Sequence, residues 1–188
     1  MAKYWVANNP NAEITNTEAV RISNSQREVV RQSDDDDTAL TLTVSQSGAL
    51  ILFDEDEAYS ITLPAITSSD IGVTYEFMET VVSDLLRKIT TAYDNDYYVG
   101  GVTNLFDAAK TDGSTGGIAF LSAGATDTII TLGDDNLANA GGGLGARVVL
   151  TAVLTGNTAS GGGAKLVWAV SGNKVAQAED DTGAAFFS

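Results

Sequence analysis

The stretch Ala39-Leu40-Thr41-Leu42-Thr43-Val44-Ser45 alternates strictly between apolar and polar residues. A period of two places its two leucines and its valine on one face, which is typical of a strand that is buried on one side. The turn signal Gln46-Ser47-Gly48 follows, and the apolar run Ala49-Leu50-Ile51-Leu52-Phe53 then predicts a fully buried strand. Two strands joined by a short turn therefore begin a β domain.

The same pattern continues along the chain. The acidic run Asp54-Glu55-Asp56-Glu57 is too charged for the interior and predicts a loop. Pro64 either ends the strand that starts at Tyr59 or marks the edge of a sheet. Further strands are predicted at 59–64, 72–78, 88–93, 97–102, 126–132, 146–154 and 165–170. About nine or ten short strands separated by turn signals indicate an all-β fold, either a sandwich, a jelly roll or a barrel. The segment from Thr80 to Arg87 has two readings, a helical turn or a wide connection between strands.

Composition excludes several classes of function. The chain has 188 residues, enough for one ordinary domain, and contains no cysteine and no histidine. Disulfides, thiolate catalysis, Ser-His-Asp machinery and zinc fingers are therefore excluded. With 25 acidic and 10 basic residues the net charge is -15. Phosphate backbones and anionic lipids repel such a protein, so we expect neither nucleic acid nor a membrane as a partner.

Residues 1–37 differ from the rest and predict an extended polar N-terminal arm ahead of a β domain at 38–188. The arm is rich in Asn, Ser, Thr, Arg and Glu, and its apolar residues are scattered. Such a segment buries too little apolar surface to fold alone, so it is either disordered or ordered against a partner. Within it, Ala19 to Ser23 alternates and predicts a strand, with a short helix at Ser25 to Arg31 as the competing interpretation.

Few residues point to chemistry. The sequence Gly141-x-Gly143-x-x-Ala146 matches a dinucleotide fingerprint only superficially, because a strand and not a helix is predicted after it. Acidic clusters offer oxygen ligands for calcium, but none has EF-hand spacing, and a charge run is usually a solvated face. Glycoside hydrolysis needs a pair of carboxylates, and with 25 acidic residues in the chain the sequence does not identify any one pair. We therefore predict no enzyme and no catalytic, cofactor-binding or metal-ligating residue.

Aromatic and arginine side chains mark a candidate interface. Trp168 shares a strand face with Leu166 and Val170, which predicts core packing. The arm instead combines aromatic and guanidinium groups without a core of its own, and such side chains are the usual anchors of protein interfaces. The predicted partner-binding residues are Tyr4, Trp5, Arg21, Arg27 and Arg31.

Residues 38–188 resemble a group of small virion structural proteins of tailed phages. The resemblance rests on the order of Ile61-Thr62-Leu63-Pro64, Gly72-Val73-Thr74-Tyr75-Glu76-Phe77, Asp127-Thr128-Ile129 and Trp168-Ala169-Val170-Ser171-Gly172. It implies a capsid decoration (cement) protein or a head-fibre module, without catalytic residues. The sequence departs from the group in the acidic connection at 80–87 and in the polar arm.

The leading hypothesis is therefore a homotrimeric decoration protein on the outer surface of the capsid. It would bind the major capsid protein and stabilise the shell by bridging neighbouring subunits. The alternative is a receptor- or glycan-binding module of a head or tail fibre. A fibre module is expected to continue into a repetitive shaft, and no repeat is predicted in this chain.

Overall fold

The computed structural model describes residues 27–34, 38–83, 85–93, 96–106, 119–121, 127–132, 143–155 and 164–176. These residues form strands joined by turns, and three short 3₁₀ turns lie at Gln32–Asp34, Val44–Gln46 and Ser68–Asp70. This confirms a β-rich fold. The strands are β1 (Val29–Arg31), β2 (Ala39–Thr41), β3 (Leu50–Phe53), β4 (Tyr59–Thr62), β5 (Thr74–Glu79), β6 (Arg87–Thr90), β7 (Tyr98–Phe106), β8 (Ala119–Leu121), β9 (Ile129–Leu132), β10 (Arg147–Leu154) and β11 (Leu166–Ala176).

The strands form two mixed sheets. The seven-stranded sheet has the order β1-β3-β5-β10-β11-β7-β8, and the four-stranded sheet has the order β2-β4-β6-β9. From β1 to β6 the chain alternates between the sheets, and β1, β3 and β5 are parallel neighbours, as are β2, β4 and β6. The chain therefore winds through three coils, each with one strand in each sheet. Antiparallel pairing of β10 with β5 and of β9 with β6 ends this parallel winding.

The first two coils contain the same turn. Thr43 precedes one 3₁₀ turn and Thr67 precedes the next, and both form a capping box with the residue three positions later. In the first, the N–H of Thr43 donates to Oε1 of Gln46 (3.0 Å); in the second, the N–H of Thr67 donates to Oδ2 of Asp70 (2.8 Å). Gly48 and Gly72 then have φ of 89° and 94°, respectively. The same local turn thus follows both β2 and β4.

One hydrophobic cluster contains residues of both sheets. Across the four-stranded sheet, Leu40, Ile61, Ile89 and Ile130 lie side by side in register. The predicted core position of Trp168 is confirmed, since its side chain is fully buried, 5.8 Å from the ring of Tyr75.

Several sequence predictions are corrected by the fold. The helical reading of 80–87 is wrong, because the described residues there form a connection that leads into β6 at Arg87. The helix proposed at Ser25–Arg31 is also wrong, because Val29–Arg31 is a strand. Both β1 and β8 were missed. Residues 27–34 of the predicted arm are thus part of the β structure, while the strand predicted at Ala19–Ser23 lies outside the described residues.

Candidate functional site at the root of the N-terminal segment

Residues 27–34, here called the root, attach the N-terminal segment to the seven-stranded sheet. β1 pairs in parallel with β3, and the N–H of Leu50 donates to the carbonyl of Glu28 (2.8 Å). Alternation along β1 turns Val30 toward the core, where it packs against the hydrophobic cluster, and leaves Val29 and Arg31 exposed. The segment that precedes residue 27 is therefore joined to the sheet through backbone pairing and one apolar contact.

Two arginines meet one carboxylate beside the root. Arg27 donates from both terminal nitrogens to Oε2 of Glu76 (2.5 Å) and from Nε to the carbonyl of Gly48 (3.1 Å). Arg147 donates from Nε to Oε1 of the same glutamate. These three side chains, which we call the Glu76 cluster, join the root to β5 and β10.

The charges of the Glu76 cluster reinforce one another. The hydrogen bond from Arg147, followed by the attraction of Arg27, lowers the pKa of Glu76 below its usual range. The same hydrogen bond raises the pKa of Arg147. Because both arginine side chains are about half exposed, solvent screens the pairs, and each contributes only ~0–1 kcal/mol to stability. The cluster positions the root more than it stabilises the fold.

An open cleft of about 270 Å³ lies at the Glu76 cluster. Its lining includes Arg27, Glu76 and Arg147 together with the apolar side chains of Ala49 and Val149. Two guanidinium groups and one carboxylate leave a local net charge of +1 in a chain of net charge -15. Arg147 bonds to Glu76 through Nε and its guanidinium also lines the cleft, so the cleft presents a cationic side chain that suits an anionic group of a partner.

The other end of the root contacts the acidic loop, residues 54–57. Asp54 accepts hydrogen bonds from the N–H of Ser33 (2.9 Å) and from its hydroxyl (2.8 Å), and Arg31 lies 3.3 Å from the same carboxylate. Gln32 is buried and donates to the carbonyl of Glu57 (3.4 Å). Both ends of the root are therefore fixed by side chains of the β domain.

A buried pair of side chains, Glu79 and Arg87, supports the acidic loop from the inside. The side chains of Glu79 in β5 and Arg87 in β6 are fully buried and bonded to each other, which links the two sheets. Arg87 also donates to the carbonyls of Glu55 and Glu57, and its guanidinium lies 5.4 Å from the ring centre of Phe53. Arg87 thus supplies a donor to the Glu55 carbonyl and a second donor, beside Gln32, to the Glu57 carbonyl.

Burial dominates the titration of this pair. Desolvation raises the pKa of Glu79 to about 8, although the attraction of Arg87 opposes the shift. Desolvation likewise lowers the pKa of Arg87. Oε1 of Glu79 has no hydrogen-bond partner in the described part of the chain, which adds to the cost of ionising the carboxyl group.

Two of the five predicted partner-binding residues, Arg27 and Arg31, are described, and both contact the chain itself. Tyr4, Trp5 and Arg21 lie outside the described residues. Sequence reasoning missed Glu76, Arg147 and the buried pair. Glu76 carried a signal, because it is a charged residue inside a predicted strand, but nothing in the sequence indicates its two partners.

The remaining predictions about chemistry concern metals and nucleotides. Across the residues that the structure describes, no three acidic side chains converge on a common point. Gly143 to Ala146 leads directly into β10, so a strand follows the glycine-rich sequence as predicted.

In the part of the chain that the structure describes, no helix is long and apolar enough to cross a bilayer.

Comparisons of the chain with protein-family models, with curated proteins and with solved structures give no significant match.

Proposed function

We propose that this chain is a capsid decoration (cement) protein of a tailed phage. In this proposal it binds the major capsid protein on the outer surface of the shell, as a homotrimer, and stabilises the shell by bridging neighbouring subunits. The observation that carries the proposal is the fixed root. A segment that bridges two subunits must transmit force to its own domain, and the root joins residues 1–26 to the sheet through β1, the Glu76 cluster and Asp54.

The order of sequence motifs supports the same proposal. The motifs that resemble virion proteins fall on strands or directly beside them: Ile61–Pro64 ends β4, Thr74–Phe77 belongs to β5, and Trp168–Gly172 belongs to β11. We propose that the two sheets pack as a sandwich, with the N-terminal segment as an extended arm. The hydrophobic cluster that both sheets share in the described part of the chain supports this arrangement.

The β domain and the N-terminal segment differ in charge and in side-chain type, and we infer a different role for each. The acidic surface of the β domain resists binding to nucleic acid. The N-terminal segment supplies Tyr4, Trp5 and Arg21, which are of the types that anchor interfaces. In the proposed complex the segment holds the shell and the β domain faces solvent.

The test replaces Tyr4 and Trp5 with Ala in the full chain and measures binding to undecorated capsids of the virion that carries the protein. Loss of two aromatic anchors, each contributing about 2 kcal/mol or more, weakens binding by at least tenfold. The melting temperature of the free protein stays unchanged. Tyr93→Ala is the matched control, because Tyr93 is an aromatic residue that is 63% exposed on the β domain.

Three outcomes count against the proposal. Equal capsid binding by the double variant and the wild type moves the interface away from the arm. Absence of binding by the wild-type protein, together with binding to host cells or glycans, favours the fibre alternative. Sedimentation of the free protein as a monomer at micromolar concentration contradicts the trimer.

A further inference from the structure

The seven-stranded sheet carries apolar side chains on its outer face, the side away from the hydrophobic cluster. The strand registers place two neighbouring rows on this face: Val29, Leu50, Glu76 and Val149 in one, and Arg31, Leu52, Met78 and Arg147 in the other. Residues between the rows, such as Ile51 and Phe77, belong to the cluster, so the rows point away from it. The five apolar side chains of the rows are half-buried or exposed. A sheet face that meets only water is usually polar, so this one has the character of a protein interface.

The charges that the structure describes on this face expose cations more than anions. Arg27, Arg31 and Arg147 lie there with Asp54 and Glu76, which gives a local net charge of +1 in a chain of net charge -15. The three arginine side chains are 41%, 54% and 50% exposed, whereas the two carboxylates are only 14% and 13% exposed. The face therefore presents guanidinium groups beside apolar side chains, and it complements a protein surface with exposed carboxylates.

We propose that the acidic loop of a second copy of this chain binds this face at the open cleft beside the Glu76 cluster. Asp56 and Glu57 of that loop are exposed, so their charges are available to a partner. A carboxylate that enters the cleft of about 270 Å³ meets the guanidinium groups of Arg27 and Arg147. The cleft opens on the outer face, so the docked subunit also covers Leu50 beside it. This contact specifies how the subunits of the proposed trimer meet, and it rests on that part of the proposed function.

The acidic loop of one copy does not reach its own cleft. Ala49 lines the cleft at the start of β3, and the loop begins at Asp54, directly after the end of this strand. At about 3.3 Å per residue, five residues of extended strand separate the two by about 16 Å. Pairing with β1 on one side and β5 on the other holds β3 in this extended form. The loop and the cleft therefore meet only between two copies.

A contact between two different surfaces is heterologous, which means that it joins copies head to tail. Such a contact closes into a ring when the rotation between neighbours is a whole fraction of a turn. A three-fold rotation gives the proposed trimer, in which every copy uses its cleft once and its loop once. Tyr4 and Trp5 take no part in this contact, so the proposed binding of the shell is tested separately.

Charge reversal in the full chain tests the contact. The cleft variant is Arg147→Glu, the loop variant combines Asp56→Lys with Glu57→Lys, and the rescue variant contains all three substitutions. Lys165→Glu is the matched control, because it makes the same change of charge at an exposed position at the other end of the β10–β11 pair. Arg147→Gln is a milder cleft variant that removes the charge without placing a second carboxylate beside Glu76. Circular dichroism of each variant checks that the β structure is kept.

Sedimentation velocity at micromolar concentration measures the association constant. We expect the cleft variant and the loop variant each to weaken association by about tenfold or more, and Arg147→Gln to act in the same direction. The control should associate like the wild type. The rescue variant should recover most of the association, because opposite charges meet again across the contact. Raising NaCl from about 0.05 M to about 0.5 M should weaken association of the wild type, since salt screens exposed charges.

The possible failures of this contact and of the proposed function are distinguishable. Wild-type trimers that persist unchanged in both the cleft and the loop variants overturn the contact and leave the trimer standing. A rescue variant that associates no better than the single-site variants does the same. A monomeric wild type overturns both the contact and the trimer. The decoration role is judged separately, by binding of the wild type to undecorated capsids.

Discussion

The stability of this protein should fall as the pH rises toward 8, because Glu79 takes up a proton on folding. Its buried carboxyl group has a folded-state pKa of about 8, against an ordinary value of 4.5. Between these values the folded protein holds a proton that the unfolded chain has lost. The free energy of unfolding that this group contributes is therefore fully present below pH 4.5 and is lost as the pH rises through about 8.

The magnitude follows from the two pKa values. A difference of 4.5 to about 8 corresponds to at most about 5 kcal/mol, at ~1.4 kcal/mol for each pH unit. Little else titrates in the upper part of this range, because the chain has no histidine. Between pH 6 and pH 8 we therefore expect a loss of about 2–3 kcal/mol that is due mainly to one residue.

Glu79→Gln removes the titration and keeps the shape of the side chain. Urea unfolding at intervals from pH 5.5 to pH 8.5 should show a falling free energy of unfolding for the wild type and a nearly constant one for the variant. Near pH 6 the two proteins should agree within about 1 kcal/mol, since Glu79 is then protonated in the folded wild type. The reasoning fails if the wild type is constant or gains stability over this range, or if the variant keeps the wild-type slope.

Glu76→Gln is the matched control, because it changes a glutamate in the same strand to the same amide. The two arginines lower the pKa of Glu76, so this carboxylate titrates only in acid. The control variant should therefore keep the wild-type slope between pH 6 and pH 8.5. A flattened slope in the control would assign the pH dependence to the general charge of the protein and not to the buried pair.

Two further predictions concern the interior and the backbone. Arg87→Met leaves the Glu79 carboxyl group and the Glu55 carbonyl without the donor that Arg87 supplies, so it should lower the free energy of unfolding at pH 8.5 by ~3–5 kcal/mol; a loss below ~1 kcal/mol would contradict this role. Gly172→Ala places a methyl group against the β10 backbone at a φ of 141°, and its melting temperature should fall much more than that of Gly72→Ala, where space is open and only the φ of 94° costs about 1 kcal/mol. Equal melting temperatures for these two glycine variants would refute the predicted contact.

The local pattern of the sequence was enough to predict the β-rich class and the positions of most strands. Alternation over Tyr59–Pro64 predicted β4 closely, because a strand's period of two reflects which of its own faces is buried. The strand predicted at Ala146–Leu154 likewise coincides with β10. The same rule placed Trp168 in the core. A run of four acidic residues at 54–57 predicted a loop, since charged side chains resist burial wherever the loop lies.

Short strands escaped this reasoning. β1 and β8 have three residues each, too few for a period to be recognised, and β1 exists because its residues pair with β3. The repeated turn was missed for a related reason. Its two copies share a hydroxyl, a second hydroxyl, an oxygen acceptor and a glycine at set positions, and this similarity becomes visible once the hydrogen bonds are known.

Only the tertiary structure decided which strands are neighbours. Alternation shows which face of a strand is buried, but it does not show which other strand pairs with it. The winding of β1 to β6 between two sheets was therefore not predictable from the pattern. Glu79 and Arg87 lie on strands in different sheets, and the pair forms where those strands face a common core. Arg27 and Arg147 meet Glu76 in the same way, across 49 and 71 residues of chain. Contacts over such distances depend on the packing of the whole chain, and no local sequence pattern encodes them.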